Sequence, residues 1–316
     1  MSLDVASSHF RNGEWRLAKI AADASLADDV SGDVHALLAR LAARVGDPRA
    51  ALLHGQSAVA AQFRPNTRGA LGEALLANGE PFRARDELSS ALEDASARES
   101  AILGTALSLA CRAAGAPESG IAAAVRATAA AETCFGLASP EYAEALVASG
   151  LCNHAAGKEQ RASELLHQAR EVWSGLDARH PGLAGTLDAL GAVARARNRP
   201  FEAVKLHREA IQVWTDALGE HAGVIAASRQ LLAQALHRTG DFVGARTEMA
   251  LSSTQTARCF GADHIDTWIA RFELARFELD CGEVEVGLHG MVDAHQVVSE
   301  RLGQEHPVVK AMKRWL

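Results

Sequence analysis

The chain has 316 residues, 48% of them apolar but only 5% aromatic, and a formal net charge of −7. That acidic balance excludes general binding to phosphate backbones, which needs a basic footprint. No stretch reaches the ~18 uninterrupted apolar residues of a membrane-spanning helix, and the opening MSLDVASSHFRNGEW lacks the basic segment and apolar run of a secretory leader.

Much of the apolar share is alanine, which suits thin layers of paired helices rather than one thick core. Arginine far outnumbers lysine, and with so much alanine this points to a GC-rich bacterial genome. The five cysteines (Cys111, Cys134, Cys152, Cys259 and Cys281) are odd in number and form no CxxC. They read as reduced, buried thiols, and the expected compartment is the cytoplasm.

In chain order, Leu3 to Phe10 is a short first helix, Gly13-Glu14 a turn, and Trp15 to Ala24 a second helix. With no capping layer before it, the apolar face of that first helix is expected to be poorly covered. No helix-turn-helix module is read upstream of it. Two more helix pairs occupy about 31 to 95, with turns GlyAspPro at 46–48 and GlyGluPro at 79–81 that put a proline just after a glycine cap. The fourth pair, about 97 to 135, has the alanine-rich second helix IAAAVRATAAAETCFG, and beyond it the joints between pairs lengthen. A seam is therefore expected near Phe135 to Pro140, dividing short-joint repeats (1–135) from long-joint repeats (136–316) within one continuous superhelix. Four pairs follow to about Arg301, the clearest running from His180 to His221. There Leu183, Leu187, Leu190 and Val193 make one apolar face, Asn198-Arg199-Pro200 breaks the helix, and a second amphipathic helix runs to Leu218. The last residues, from His306, start a ninth first helix. It reads as a cap with Lys310, Lys313 and Arg314 in solvent; Trp315 and Leu316 are its alternative docking element.

The repeat is countable. Its turn residue falls at Gly13, Gly46, Gly79, Gly115, Gly157, Asn198, Gly240 and Gly282, at spacings of 33, 33, 36, 42, 41, 42 and 42. Five residues after each turn the residue is alanine or glycine, twelve after it alanine or serine, and seven before it alanine, glycine or serine. Small residues at fixed offsets let helix backbones approach closely. Two such helices cannot bury their apolar faces alone and need neighbours on both sides.

These columns resemble the tetratricopeptide repeat, with Leu-Gly/Ala in the first helix and two alanines in the second. The joints HisProGly at 180–182, LeuGly at 218–219, PheGly at 260–261 and LeuGlyGlnGluHisPro at 302–307 are similar to the longer kinesin-light-chain subtype. The resemblance implies an all-α, right-handed α-solenoid of about eight helix pairs plus a C-terminal capping helix. It departs from the family at two aromatic columns, where Leu187, Arg229 or Arg271 replaces tryptophan and Cys111, Asn153, Ala194, Leu236 or Glu278 replaces tyrosine.

Chemical motifs are sparse. The sequence contains no GxxxxGK[ST], HExxH or GxSxG, and no strand that could precede a GxGxxG turn. Cys152 and His154 lie two apart, roughly 200° around a helix, and share no face. His289 and His295 are likewise off-face. The joint histidines His180, His221, His264 and His306 sit one per layer, too dispersed to converge on a metal, and are expected to hydrogen-bond the open end of a neighbouring helix. No catalytic residue, metal or cofactor is expected.

What remains is the concave face, which in this family is lined by the first helices. Carried across by register, it takes Arg40, Arg44, Asn66, Glu73 and Glu144 early on, then Arg112, His154, Asp188, Arg195, Gln230, Gln234, His237, Arg238, Phe272, Arg276 and Asp280. Arginine and histidine stand out inside an acidic protein, and a basic strip concentrates field where an anionic segment would lie. Arg195 could instead pair with Asp188. The expected activity is non-catalytic: a scaffold holding a protein or peptide partner in this groove, without nucleic acid or membrane. A ligand-responsive sensor, and an enzyme built around His154 and His237, are the alternatives. The family's carboxylate clamp of lysine and asparagine on adjacent first helices is not present, so chaperone-tail binding is not expected.

Overall fold

The computed structural model describes residues 3–28, 31–177, 179–220 and 222–316, and seventeen α-helices without a strand run through them. The first four hairpins pair α1 (Leu3–Arg11) with α2 (Trp15–Asp28), α3 (Gly32–Val45) with α4 (Pro48–Ala61), α5 (Pro65–Ala77) with α6 (Pro81–Glu93), and α7 (Ala97–Ala113) with α8 (Pro117–Phe135). The next four pair α9 (Pro140–Ala155) with α10 (Glu159–Leu176), α11 (Pro181–Ala196) with α12 (Pro200–Leu218), α13 (Val224–Thr239) with α14 (Phe242–Phe260), and α15 (Ile265–Asp280) with α16 (Val284–Leu302). A short α17 (Pro307–Lys313) closes the array by burying Val309 and Met312 against Phe272 and Met291.

Each turn has the same backbone cause. All eight turn positions hold a positive φ, from Gly13 at 76° to Gly282 at 87°, and Asn198, at 59°, is the only described non-glycine to do so. Asparagine tolerates the left-handed region better than any branched residue, which is why it can stand in for glycine in repeat six. Second helices then start at once. Asp47 and Asp241 cap α4 and α14 by accepting from Ala50 N at 3.0 Å and Gly244 N at 2.9 Å, and prolines open α4, α6, α8 and α12, where no intrahelical N–H partner is needed.

The small columns are where the two helices of a pair meet. Every residue five positions after a turn is buried, from Ala18 to Gly287. The column seven before the turn receives a large side chain from the second helix. A Cβ on Gly72 would lie 2.5 Å from Leu88 Cγ, one on Gly150 2.6 Å from Leu166 Cγ, and one on Gly191 2.5 Å from His207 Cε1. Leu88, Leu166 and His207 are themselves fully buried. The glycines are therefore sockets for the second helix, and any larger residue there would push the pair apart.

The array does not run on as an open spiral: it closes on itself. The turn of repeat one nests against the joint before repeat six, where a Cβ on Gly13 would meet Pro181 Cδ at 2.6 Å and His180 Nε2 donates to Arg11 O at 3.1 Å. The turn of repeat two nests against the joint before repeat seven, with Gly46 and Gly223 so close that a Cβ on Gly223 would lie 2.4 Å from Gly46 O. Trp15 packs on Trp214 with ring centroids 5.9 Å apart, and α2 contacts α12. The expectation that the first helix pair is poorly covered is thus corrected. Ala6, Trp15, Ala18, Ala21 and Ala22 are buried, and they belong to the same core as Trp173, Leu187 and Trp214.

The joint histidines also differ from expectation. His180, His264 and His306 each cap the helix they precede, Nδ1 accepting from Gly182 N at 3.0 Å, Asp266 N at 3.3 Å and Val308 N at 3.3 Å. Only His180, among these three, also reaches a neighbouring helix end, that of α1. His221 lies outside the described residues.

Candidate peptide-binding groove

The first helices of repeats five to eight line a pocket of about 410 Å³. His154 comes from α9, Arg195 from α11, Gln234, His237 and Arg238 from α13, and Glu273, Arg276 and Asp280 from α15. These residues stand two, three, six or nine positions before their turns, which puts them on one helical face near the C-terminal ends. Seven of the sixteen concave-face residues expected from the sequence (His154, Arg195, Gln234, His237, Arg238, Arg276 and Asp280) therefore come together here.

Arg40, Arg44, Asn66, Glu73 and Glu144, from the earlier repeats, do not line it, and neither do Arg112, Asp188, Gln230 and Phe272. Asp188 and Phe272 stand ten positions before their turns, and that position faces the next first helix. Asp188 accepts from Ser228 Oγ on α13 and lies 2.8 Å from Nδ1 of the buried His207 on α12, so it ties three helices together. It does not pair with Arg195. Phe272 is 1% exposed within the core under α17. Gln230 is half-buried outside the pocket. Arg112 lies on α7, its Nε buried with no acceptor among the described residues.

Inside the pocket the charged groups differ in how they are engaged. His154 Nδ1 is 2.7 Å from Glu159 Oε2, and His237 Nε2 is 2.8 Å from Asp280 Oδ2 with the rings of Phe242 and Phe277 edge-on to it. Arg276 donates to Glu273 at 2.7 Å and lies 3.7 Å under the Trp315 ring, a cation–π contact that brings the C-terminal residues to the groove's edge. Burial raises the Glu273 carboxyl above its ordinary range, and Arg276 only partly offsets it. Arg195 and Arg238 are different. Arg195 donates to the neutral Gln234 Oε1, and neither guanidinium has a carboxylate partner among the described residues. Burial, then the like charge of Arg238, lowers the Arg195 pKa. Two guanidiniums that line one pocket and have no carboxylate partner offer donors to a carboxylate or another oxyanion.

Cys152 does not share this chemistry with His154. Its thiol is fully buried, donates to Ser108 O at 3.4 Å, and is pushed up to about 11, chiefly by burial. No three or more His, Cys, Asp or Glu side chains among the described residues are grouped to hold a metal ion, and no described helix is long and apolar enough to cross a membrane.

A second space, of about 380 Å³, is walled by Ile102, Thr105 and Leu109 of α7, Val147 and Leu151 of α9, Gly185 of α11, and the indoles of Trp15, Trp173 and Trp214. Its charges are all paired: Arg44 with Glu144, and Glu73 with Arg40, which lies outside it, at 2.9 Å. Sequence reasoning placed Arg44 and Glu144 on the concave face but did not find this chamber, because it exists only once repeats one and two close over repeats five to seven.

A solenoid of helix hairpins with a concave binding face defines a class of repeat scaffold. The tetratricopeptide-repeat family model matches residues 141–216 and 182–250, and the same hairpin recurs on both sides of that segment. Residues 141–250 thus match the tetratricopeptide-repeat family, and the hairpins on either side share that fold. In fold it is similar to nearly identical kinesin-light-chain TPR-like repeats from Podosopora anserina (TM-score 0.53, 18% identity, covering 63% of this chain and 94% of that one). It is also similar to the APC/C hetero-tetramer Cut9–Hcn1 (TM-score 0.69, 14% identity, 98% of this chain and 54% of that one). A third similar structure is a Rap protein complexed with competence and sporulation factor (TM-score 0.64, 11% identity, 90% and 86%). No curated protein matches the sequence.

Proposed function

We propose that this array is a protein-interaction scaffold whose groove over repeats five to eight holds an extended, acidic segment of a peptide or protein partner. The observation that carries the reading is the Arg195–Arg238 pair, two guanidiniums that line one pocket with no carboxylate partner among the described residues. A rigid, preformed groove lowers the ordering cost of binding a flexible segment. The five free cysteines suit a reducing compartment, and we take the cytoplasm as the setting.

A regulatory role is the second reading. It is favoured by the closure of repeats one and two onto repeats five to seven, a contact that a bound segment could strengthen or weaken. The similar Rap protein is complexed with competence and sporulation factor, which supports asking whether this chain binds such a factor.

The test is affinity capture from the native cell's lysate with wild type and Arg195→Glu/Arg238→Glu side by side, read by mass spectrometry. The reading expects a partner retained by wild type and lost by the charge-reversed variant at unchanged helicity. Equal retention by both would move binding away from the arginines.

A further inference from the structure

We propose that a separate cavity, at the closure of the array, binds a small organic ammonium compound, with its charged nitrogen on Glu141 and its apolar body against α1 and α7. The inference deepens the regulatory reading by naming a ligand class. It rests on that reading only for the consequence of binding; the site itself rests on the cavity.

The cavity measures about 340 Å³ and borders the apolar chamber, with which it shares Arg44, Glu144 and Ile102. It forms only where the array closes. Phe10 reaches it from α1, Arg40 from α3, Glu141 from α9, and His180 from the joint before α11. At the ~30 Å³ that a water molecule takes in the liquid, it has room for roughly ten non-hydrogen atoms. That is the size of a metabolite, not of a stretch of polypeptide.

The charges of the cavity are tightly engaged, except at Glu141. Arg44 pairs with Glu144. Arg40 donates to Glu73 at 2.9 Å and to Asn66 Oδ1 at 2.7 Å. Asp33 accepts from Asn66 Nδ2 at 2.8 Å and from Arg64 at 2.7 Å. The Glu141 side chain is only 14% exposed, yet its ion-pair partner among the described residues is Arg11, with Nε 3.8 Å away on a side chain that is 56% exposed. That distance is beyond a hydrogen bond. Burial raises the Glu141 carboxyl above its ordinary range and Glu144 adds to this, while its own N–H, Arg11 and Arg98 offset only part. A carboxylate so far from water is ordinarily met by direct donors.

These features select the ligand. An anion is disfavoured, because Arg40 and Arg44 already hold carboxylates and the loosely held charge is negative. An ammonium brings three donors, enough for Glu141 and for the hydroxyl of Ser7 on the same wall. Leu3, Phe10, Leu37 and Ile102 complete the lining and fit an alkyl or aryl body. The walls come from both sides of the closure, so a ligand here binds the closed array and favours it by mass action.

The experiment is titration calorimetry of 2-phenylethylamine and hexylamine, each against its matched alcohol and carboxylate. The proteins are wild type, Glu141→Gln, Arg195→Glu/Arg238→Glu, Gly46→Ala and Gly79→Ala. Wild type should bind one equivalent of amine at least about tenfold more tightly than the matched alcohol or acid. Glu141→Gln should lose that preference, and the groove variant should keep it. Should Glu141→Gln melt lower than wild type, Glu141→Met serves with the same readout. Gly46→Ala, which disturbs the nest between repeats two and seven without lining the cavity, should bind the amine several-fold more weakly than Gly79→Ala. No binding of either amine by wild type, amines bound no better than their alcohols, or a preference that survives Glu141→Gln would overturn the site. So would loss of amine binding in the groove variant. Binding that depends on Glu141 but is equal in Gly46→Ala and Gly79→Ala would leave the site standing and overturn the regulatory reading.

Discussion

Arg44 on α3 meets Glu144 on α9 across the centre of the molecule, Nη2 to Oε2 at 2.9 Å, although 100 residues separate them in the chain. Burial alone would lower the arginine's pKa, but Glu144 outweighs it and the value is raised; burial likewise opposes ionisation of Glu144, and Arg44 overcomes it to hold the carboxyl below its usual range. A bidentate pair of this kind fixes the distance between repeats two and five. It stands beside the Trp15–Trp214 contact and the two glycine-lined nests, so the closure that creates the chamber has four separate supports.

The nests make a matched prediction. Gly46 and Gly79 hold nearly the same φ, 81° and 78°, but a Cβ on Gly46 would lie 2.6 Å from Val224 N whereas one on Gly79 meets nothing within 4 Å. Gly79→Ala should cost about 1–2 kcal/mol, the left-handed penalty alone. Gly46→Ala should cost more by denaturant unfolding, because backbone must also move, and it should expand the molecule in small-angle scattering. Equal losses and equal radii would remove the nest as a support.

His180 makes the closure acid-sensitive. Burial, only partly offset by the bond to Arg11 O and by Glu144, depresses its pKa; Arg44 adds to the depression and Asp177 opposes it. A histidine depressed in the fold binds fewer protons folded than unfolded. Its stabilisation is therefore complete above the unfolded value of about 6.5 and is lost as pH falls from there toward the folded one. His35 and His54, 3.1 Å apart between α3 and α4 and both depressed by burial, add in the same direction. The raised carboxyls of Glu141 and Glu273 work the other way. The clean readout is thus a difference: between about pH 7.5 and 5.5, wild type should lose more melting temperature than His180→Asn, which retains a capping side chain but does not titrate. Parallel pH profiles would show that His180 contributes nothing.

Asp188 separates folding from binding. Asp188→Ala removes the partner of two groups, His207 and Ser228, and should destabilise the fold by about 1–3 kcal/mol. Where it remains folded it should bind acidic peptides as wild type does. A specific loss of binding at unchanged stability would return Asp188 to the groove.

Thiol reactivity should follow burial. Cys152, with its pKa near 11, and the buried Cys111, also raised by burial, should react with a disulfide reagent at about pH 8 far more slowly than the partly exposed Cys134 and Cys281. Rapid modification of all five cysteines in the folded protein would contradict the packing around α7 and α9.

How much of this was legible in the sequence follows from which forces are local. The turn column was readable because a left-handed residue leaves few choices, and Asn198 takes the same φ as the glycines it replaces. The small columns were readable because each pair of helices packs within one repeat, as Gly150 does on Leu166. The groove was half readable. Register alone does not say that the position ten before the turn, Asp188 or Phe272, leans onto the next first helix while the position three before it, Arg195 or His237, faces the pocket. The closure was not readable, since its contacts, Arg11 to His180 and Arg44 to Glu144, join residues without common periodicity. The chamber and the cover on the first helix pair depend on it.

The closure itself is most directly tested by a double-mutant cycle on Arg44→Ala and Glu144→Ala, measured by denaturant unfolding at two salt concentrations. The two residues can be coupled only if the array closes. The account predicts a coupling of about 1 kcal/mol or more that weakens with salt. Effects that add to within about 0.5 kcal/mol would mean that Arg44 and Glu144 do not meet in solution, and would contradict the closed ring and the chamber it encloses.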